Sequence, residues 1–215
     1  MQIKGLYAII DNTLTSHLSH PELAEKILRG GAKIIQLRAK PSLSSKKPAV
    51  SDRELFETAK IIRELTRQTR ASLIINDRAD IASAVEADGL HLGQDDLPLA
   101  NARKILGKNK VIGISTHNIE EAERAGKEGA DYIGFGPIFS SETKGKYIPP
   151  QGIKSLKQVT AAIDLPIIAI GGINEKNIEE VIQAGADGAA IISAITTAED
   201  ITAKTRHFVD LFNKT

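Results

Sequence analysis

The sequence predicts an α/β protein, a single (β/α)8 TIM barrel spanning residues 1–215. Three observations carry that expectation. Short apolar runs alternate with amphipathic stretches along the whole chain. A small-residue turn recurs just ahead of several of those runs. The 215 residues hold eight βα units of about 25–30 residues each, near the lower size limit of such barrels.

The apolar runs are Gly5–Ile10, Ile34–Leu37, Leu73–Ile75, Gly89–Leu92, Val111–Ile114, Tyr132–Phe135, Ile167–Ile170 and Ala189–Ile192. Several are continuously apolar and rich in isoleucine, as strands buried on both faces are. Between them the apolar spacing becomes helical. Leu23, Ile27 and Leu28 share one face of 21–28, and Phe56, Ala59, Ile62 and Leu65 share one of 53–65. Ile178, Val181 and Ile182 do the same within 177–184, and 118–127 reads as a further helix. Gly30, Gly107, Gly129 and Gly185 stand at helix ends, where a residue of positive φ is wanted. The recurring turn reads Gly31-Ala32-Lys33, Glu86-Ala87-Asp88, Gly129-Ala130-Asp131 and Gly185-Ala186-Asp187. Its alanines lie 55, 43 and 56 residues apart, close to two βα units each. Strand–helix alternation implies a parallel sheet with right-handed crossovers. An open doubly wound sheet is the structural rival.

Composition narrows the function. The chain is 41% hydrophobic and 26% charged, the balance of a folded globular protein. A formal charge of +1 gives no global field for nucleic acid or a membrane surface. Cysteine is absent, which excludes disulfides, thiolate zinc sites and cysteine nucleophiles and fits a cytoplasmic protein. Asp11 interrupts the apolar stretch Leu6–Ile10 too early for a leader, and no run approaches the roughly 20 apolar residues of a membrane span.

The chemistry-bearing residues fall at strand C-terminal ends. Gln36, Arg38 and Lys40 alternate along the second strand and form a donor cluster suited to phosphate or diphosphate. Asn76, Asp77 and Arg78 end the third strand, and His91 through Asp96 end the fourth. A carboxylate in either place could cap a helix; Asp77 taken with Asp95 and Asp96 makes an oxygen-rich site of the kind magnesium uses. Ser115, Thr116 and His117 end the fifth strand, and the spacing supports no Ser-His-Asp triad. Residues 41–51 and 140–151 break the apolar rhythm and read as long loops over the same rim, the second carrying Ser141, Thr143 and Lys144. Gly171-Gly172 ends the seventh strand and Ile192-Ser193 the eighth, where such barrels bind phosphate on backbone N–H groups. Together these make a basic cluster, acids and a glycine cradle on one rim, suited to two anionic substrates and a divalent metal.

The residues that carry this pattern resemble the thiamine-phosphate synthase family. They are QLRAK at 36–40, NDR at 76–78, DGLHLGQDDLP at 88–98, GIST at 113–116, DYIGFGPIF at 131–139, TKG at 143–145, AIGGI at 169–173 and GADGAAIISAI at 185–195. The match covers nearly the whole chain. It implies a (β/α)8 barrel that joins a hydroxymethylpyrimidine diphosphate to a thiazole phosphate, releasing diphosphate with Mg2+. By the same resemblance Gln36, Arg38, Lys40, Asn76, Ser115 and Lys144 hold the pyrimidine diphosphate, with Lys144, Arg38 and Ser115 the catalytic groups. Asp77 and Asp96 bind Mg2+, and Ser141, Thr143, Gly172, Ile192 and Ser193 hold the thiazole phosphate. The chain departs from the family at Ala39, where glutamate is common, at Ser141, where threonine is common, and in a longer loop after Lys40. The rivals are a tautomerase-like isomerase on the same barrel using His117, and a non-catalytic phosphate-binding barrel. The expected partners are small molecules, with a homo-oligomer left open.

Overall fold

A computed structural model describes residues 2–11, 18–40, 50–141 and 148–213. Eight parallel strands close into a barrel in sequence order: β1 (Gly5–Ile10), β2 (Ile34–Leu37), β3 (Ser72–Asn76), β4 (Gly89–Leu92), β5 (Val111–Thr116), β6 (Tyr132–Phe135), β7 (Ile167–Ile170) and β8 (Gly188–Ile191). Closure between β8 and β1 pairs Gly5 with Gly188 and Ala8 with Ile191. This excludes the open doubly wound sheet. The helices are α1 (His20–Arg29), α2 (Asp52–Thr69), α3 (Ala79–Ala84), α4 (Leu99–Leu106), α5 (Ile119–Lys127), α6 (Gly152–Ala162), α7 (Ile178–Gln183), α8 (Ser193–Thr196) and α9 (Ile201–Asn213). Among the described residues no helix is long and apolar enough to cross a membrane.

Alternation along each strand divides the core in two. Leu6, Ala8 and Ile10 of β1, with Ile35, Leu73, Ile75, Leu90 and Leu92, face outward and pack against the helices. Tyr7, Ile9, Ile34, Ile74, Tyr132, Ile168 and Ala190 fill the barrel interior. The helices form where their caps and apolar stripes dictate. Ser19 and Glu22 make a reciprocal capping box at α1, and Ser51 accepts the Glu54 N–H at the start of α2.

The strand bounds differ from the apolar runs wherever polar or glycine residues keep the ladder going. β5 continues through Ser115 and Thr116, which stay in register with Gly134 and Phe135 of β6. β8 starts at Gly188, paired with Gly5, and ends before Ile192. The α2 stripe is rotated: Leu55, Ala59, Ile62 and Thr66 are buried, whereas Phe56 and Leu65 are half-buried. Gly30 corrects one expectation. Its φ is −71°, and the positive φ falls on Gly31 instead. Gly30 is needed for space, because a Cβ there would lie 2.5 Å from Thr205 Cβ of α9.

The recurring turn has a structural job. Glu86, Gly129 and Gly185 each take a positive φ, and the aspartate two residues on reaches across to the preceding strand. Asp88 Oδ2 accepts the Leu73 N–H at 2.8 Å, Asp131 Oδ2 the Ile112 N–H at 2.7 Å and Asp187 Oδ2 the Ile167 N–H at 2.8 Å. Three even strands thus clamp the first free N–H of β3, β5 and β7 at the N-terminal face, the face that serves stability in these barrels. Arg63 and Arg103 reinforce Asp88 and Asp131 at 2.6 and 2.5 Å.

Candidate active site

The opposite rim gathers the polar residues. Asp77 follows β3 with φ 61°, a left-handed conformation that few residues other than glycine, asparagine and aspartate adopt readily. Its N–H is fixed to the His91 carbonyl at 2.8 Å, which anchors the turn to β4. Asp96 lies in the turn after β4, its Oδ2 accepting the Gly93 N–H at 2.7 Å. Lys40, beyond the end of β2, sits 2.5 Å from Asp77 Oδ2 and 3.4 Å from Asp96 Oδ1. Asp95, the other acid of that turn, is exposed.

Burial, then a hydrogen bond to Asp96, push the Asp77 carboxyl up to about 6 against the pull of Lys40. Burial acts on Asp96 in the same direction, but the hydrogen bonds from Asp77 and the Gly93 N–H and the Lys40 charge hold it below the usual carboxylate range. Lys40 is raised: burial opposes its charge, and the two carboxylates outweigh that. The pair is therefore two acids competing for one lysine. Asp77 Oδ2 is ion-paired with Lys40 and Asp96 Oδ1 shares the same ammonium, so the two carboxylates together carry more negative charge than that one lysine offsets.

Arg38 is buried and its Nη1 is paired with the fully buried Asp11 at the end of β1. Asp11 was legible only as a break in an apolar run, yet an acid directly after a barrel strand lies at the rim. Gln36 and Ser115 point into the barrel mouth. Gln36 Nε2 donates to the Tyr7 hydroxyl at 2.9 Å, and Ser115 Oγ lies 2.9 Å from His91 Nε2. Tyr7 and Tyr132, which lie beside these groups, were passed over by the reading of strand ends, and His91 was placed at the end of the fourth strand without a role. Asn76, the last residue of β3, stands in register with His91.

A second region is a cleft of about 680 Å³ lined by Ser115, His117, Ser141, Gly172, Ile192 and Ser193 among others. It brings the fifth strand end together with the seventh and eighth. Gly172 has φ 65°, and a Cβ on it would lie 2.5 Å from the Ser140 carbonyl oxygen. The glycine therefore lets the β6 and β7 loops close on each other, a packing role beyond any close approach by a phosphate. α8 begins at this cleft with no side-chain cap from Ile192. His117 lines it too, its Nδ1 2.9 Å from Glu121 Oε2. Thr143 and Lys144, and most of the long loop after Lys40, lie outside the described residues.

A closed (β/α)8 barrel with an acid pair, a lysine, a buried arginine and a glycine-lined cleft on its C-terminal rim defines the class of barrel enzymes whose ligands sit over the strand ends. Comparison with known proteins narrows that class. The family described as thiamine monophosphate synthase matches residues 6–195. A thiamine-phosphate synthase of Methanospirillum hungatei is 47% identical over 96% of this chain and 97% of its own. One from Chloroflexus aurantiacus is 43% identical over 98% and 93%. Among solved structures, a thiamine phosphate pyrophosphorylase from Pyrococcus furiosus superposes with a TM-score of 0.83, at 37% identity, over 97% of this chain and 96% of that one. The chain belongs to the thiamine-phosphate synthase family and is a transferase.

Proposed function

We propose that the chain joins hydroxymethylpyrimidine diphosphate to a thiazole phosphate, giving thiamine monophosphate and diphosphate. The observation that carries this reading is the Lys40–Asp77–Asp96 cluster, set on the same rim as the Ser115–Ser193 cleft. One region suits a diphosphate with its cation, the other a phosphate.

Mg2+ fits the residues present. Asp77 and Asp96 are two hard oxygen donors that share a single lysine, and magnesium commonly takes one or two carboxylates with phosphate oxygens. Asp77 and Asp96 would hold it. When bound it would offset the negative charge of the departing diphosphate. Lys40, Arg38 and, from the loop outside the described residues, Lys144 would add cationic donors to that anion, with Asn76 beside them. Asp11 holds Arg38 in place at the rim.

The reaction itself asks little covalent chemistry of the protein. The methylene C–O bond breaks, its electron pair leaves with the diphosphate, and the pyrimidine ring stabilises the resulting cation. The thiazole nitrogen then gives its lone pair to that carbon, and no proton is transferred. Gln36 and Ser115 orient the pyrimidine in the barrel mouth. Ser141, Thr143, Gly172, Ile192 and Ser193 seat the thiazole phosphate, so that two reactants meet in a fixed geometry. We place the enzyme in the cytoplasm.

The test is turnover of both substrates by the purified protein with Mg2+. Thiamine monophosphate and one equivalent of diphosphate are expected. Isomerisation of a thiazole substrate through His117 without this product would overturn the synthase reading, as would ligand binding without turnover.

A further inference from the structure

Five polar side chains from five strands form one continuous chain inside the barrel mouth. Gln36 Nε2 donates to the Tyr7 hydroxyl at 2.9 Å, and Tyr7 Oη lies 2.8 Å from Tyr132 Oη. Tyr132 Oη lies 2.9 Å from His91 Nδ1, and His91 Nε2 lies 2.9 Å from Ser115 Oγ. The barrel is built to hold these rings. A Cβ on Gly113 would lie 2.0 Å from Tyr132 Cζ, and one on Gly134 2.9 Å from His91 Cε1. The rings border a narrow gap that shares Gly134, Ile170 and Ala190 with the larger cleft. The chain is thus the floor of the site, at the level below the Asp77–Asp96 rim.

With the Gln36 amide oriented so that Nε2 faces Tyr7, the order of protons along the chain follows from satisfaction of buried groups. Burial pushes both tyrosines far above their ordinary range, so both keep their O–H. Tyr7 already accepts the Gln36 N–H, and among the described residues its own proton has a single acceptor, Tyr132. Tyr132, receiving that proton, must donate to His91 Nδ1. The imidazole then carries its proton on Nε2 and donates to Ser115 Oγ. If Tyr132 donated to Tyr7 with Gln36 so oriented, the Tyr7 proton would be buried without an acceptor. Among the described residues two groups remain unspent at the ends of the chain: the Gln36 carbonyl oxygen and the Ser115 hydroxyl proton.

We propose that Tyr7, Tyr132 and His91 are positioning residues that polarise this chain in one direction, so that Gln36 presents an acceptor and Ser115 a donor to an aminopyrimidine ring. The ligand named here rests on the proposed function; the proton order does not. An aminopyrimidine has a complementary pattern, an exocyclic N–H donor and ring nitrogens that accept. A ring with the reversed pattern, an oxo group in place of the amine, would meet the Gln36 carbonyl with a second acceptor.

Nitrogen-15 NMR of the histidine side chains in the free protein tests the order directly. His91 is expected as the neutral Nε2–H tautomer. An Nδ1–H tautomer, or averaging of the two, would mean a reversed or unpolarised chain and would overturn the proposal. Tyr132→Phe keeps the ring over Gly113 and removes only the hydroxyl. It is expected to release the tautomer and to lower kcat/KM for the pyrimidine substrate at least 10-fold, with the KM for thiazole phosphate unchanged. Unaltered kcat/KM would show a purely structural role. Tyr7→Phe breaks the next link and carries the same kinetic test if Tyr132→Phe does not fold. Absence of synthase activity in the wild type would instead sink the proposed function, and the tautomer measurement would stand apart from it.

Discussion

At the residue scale, the acid pair sets opposite demands on stability and function. Asp77 holds its proton more tightly folded than unfolded, about 6 against 3.8. The folded state therefore gains from protonation. That gain is complete below about pH 3.8 and is lost as pH rises through about 6. In metal-free protein, Asp77→Asn should flatten this part of the stability–pH profile. It should also stabilise the fold at neutral pH, by about 1 kcal/mol after allowing for solvent on the Lys40 side. Asparagine tolerates the left-handed backbone at 77, so the change tests charge and not conformation. Chemical denaturation between pH 4 and 8 measures it, and an unchanged profile would remove the like-charge account. The same variant should lose turnover by about 100-fold or more if Asp77 holds the metal beside the diphosphate. A carboxylate that weakens the fold when ionised, on the C-terminal rim of a barrel enzyme, fits a group that serves binding rather than stability.

At the element scale, the repeated turn before β4, β6 and β8 was legible as a rhythm but not as a device. Spacing reveals that helix, turn and strand recur. It does not reveal that Asp88, Asp131 and Asp187 reach sideways to a neighbouring strand, because that contact exists only after the barrel closes. The glycine at the end of α1 shows the same limit. Gly30 and Gly31 are equally good candidates for a positive φ in the sequence, and only the approach of Thr205 from α9 decides between them. Asp88→Ala should cost about 2–3 kcal/mol, since it strands the Leu73 N–H and leaves Arg63 without its bidentate partner at 2.6 and 3.2 Å. Thermal unfolding would show the loss, while kcat should stay within about two-fold of wild type. Gly113→Ala should be far more damaging than a typical strand substitution, because the added methyl group would collide with the buried Tyr132 ring. Soluble expression with a wild-type melting temperature would contradict that placement.

At the scale of the whole molecule, the barrel separates stability from chemistry along its axis. The strand order was readable because both faces of these strands are buried, which leaves continuous apolar runs that no loop imitates. The rim was readable because polar residues at strand ends have few other reasons to cluster. The floor was readable only at His91, which was placed at a strand end without a partner; Tyr7 and Tyr132 sit inside apolar runs and look like core until closure brings their polar atoms together. β4 ties these layers together, with Asp88 ahead of it at the N-terminal face, His91 within it and Asp96 past its C-terminal end. This predicts that the double variant Asp88→Ala, Asp96→Ala behaves as the sum of its parts. Asp88→Ala should lower stability with turnover retained. Asp96→Ala should lower turnover by about 100-fold or more with a stability change within about 1 kcal/mol, because losing the Gly93 N–H acceptor is offset by relief of Asp77. Independent, distant sites add within about 0.5 kcal/mol, so the unfolding free energies and the log-ratios of kcat/KM should each sum. A coupling above about 1 kcal/mol in either quantity would mean that the two ends of β4 communicate, and that the clamp at the N-terminal face also positions the acid pair on the opposite rim.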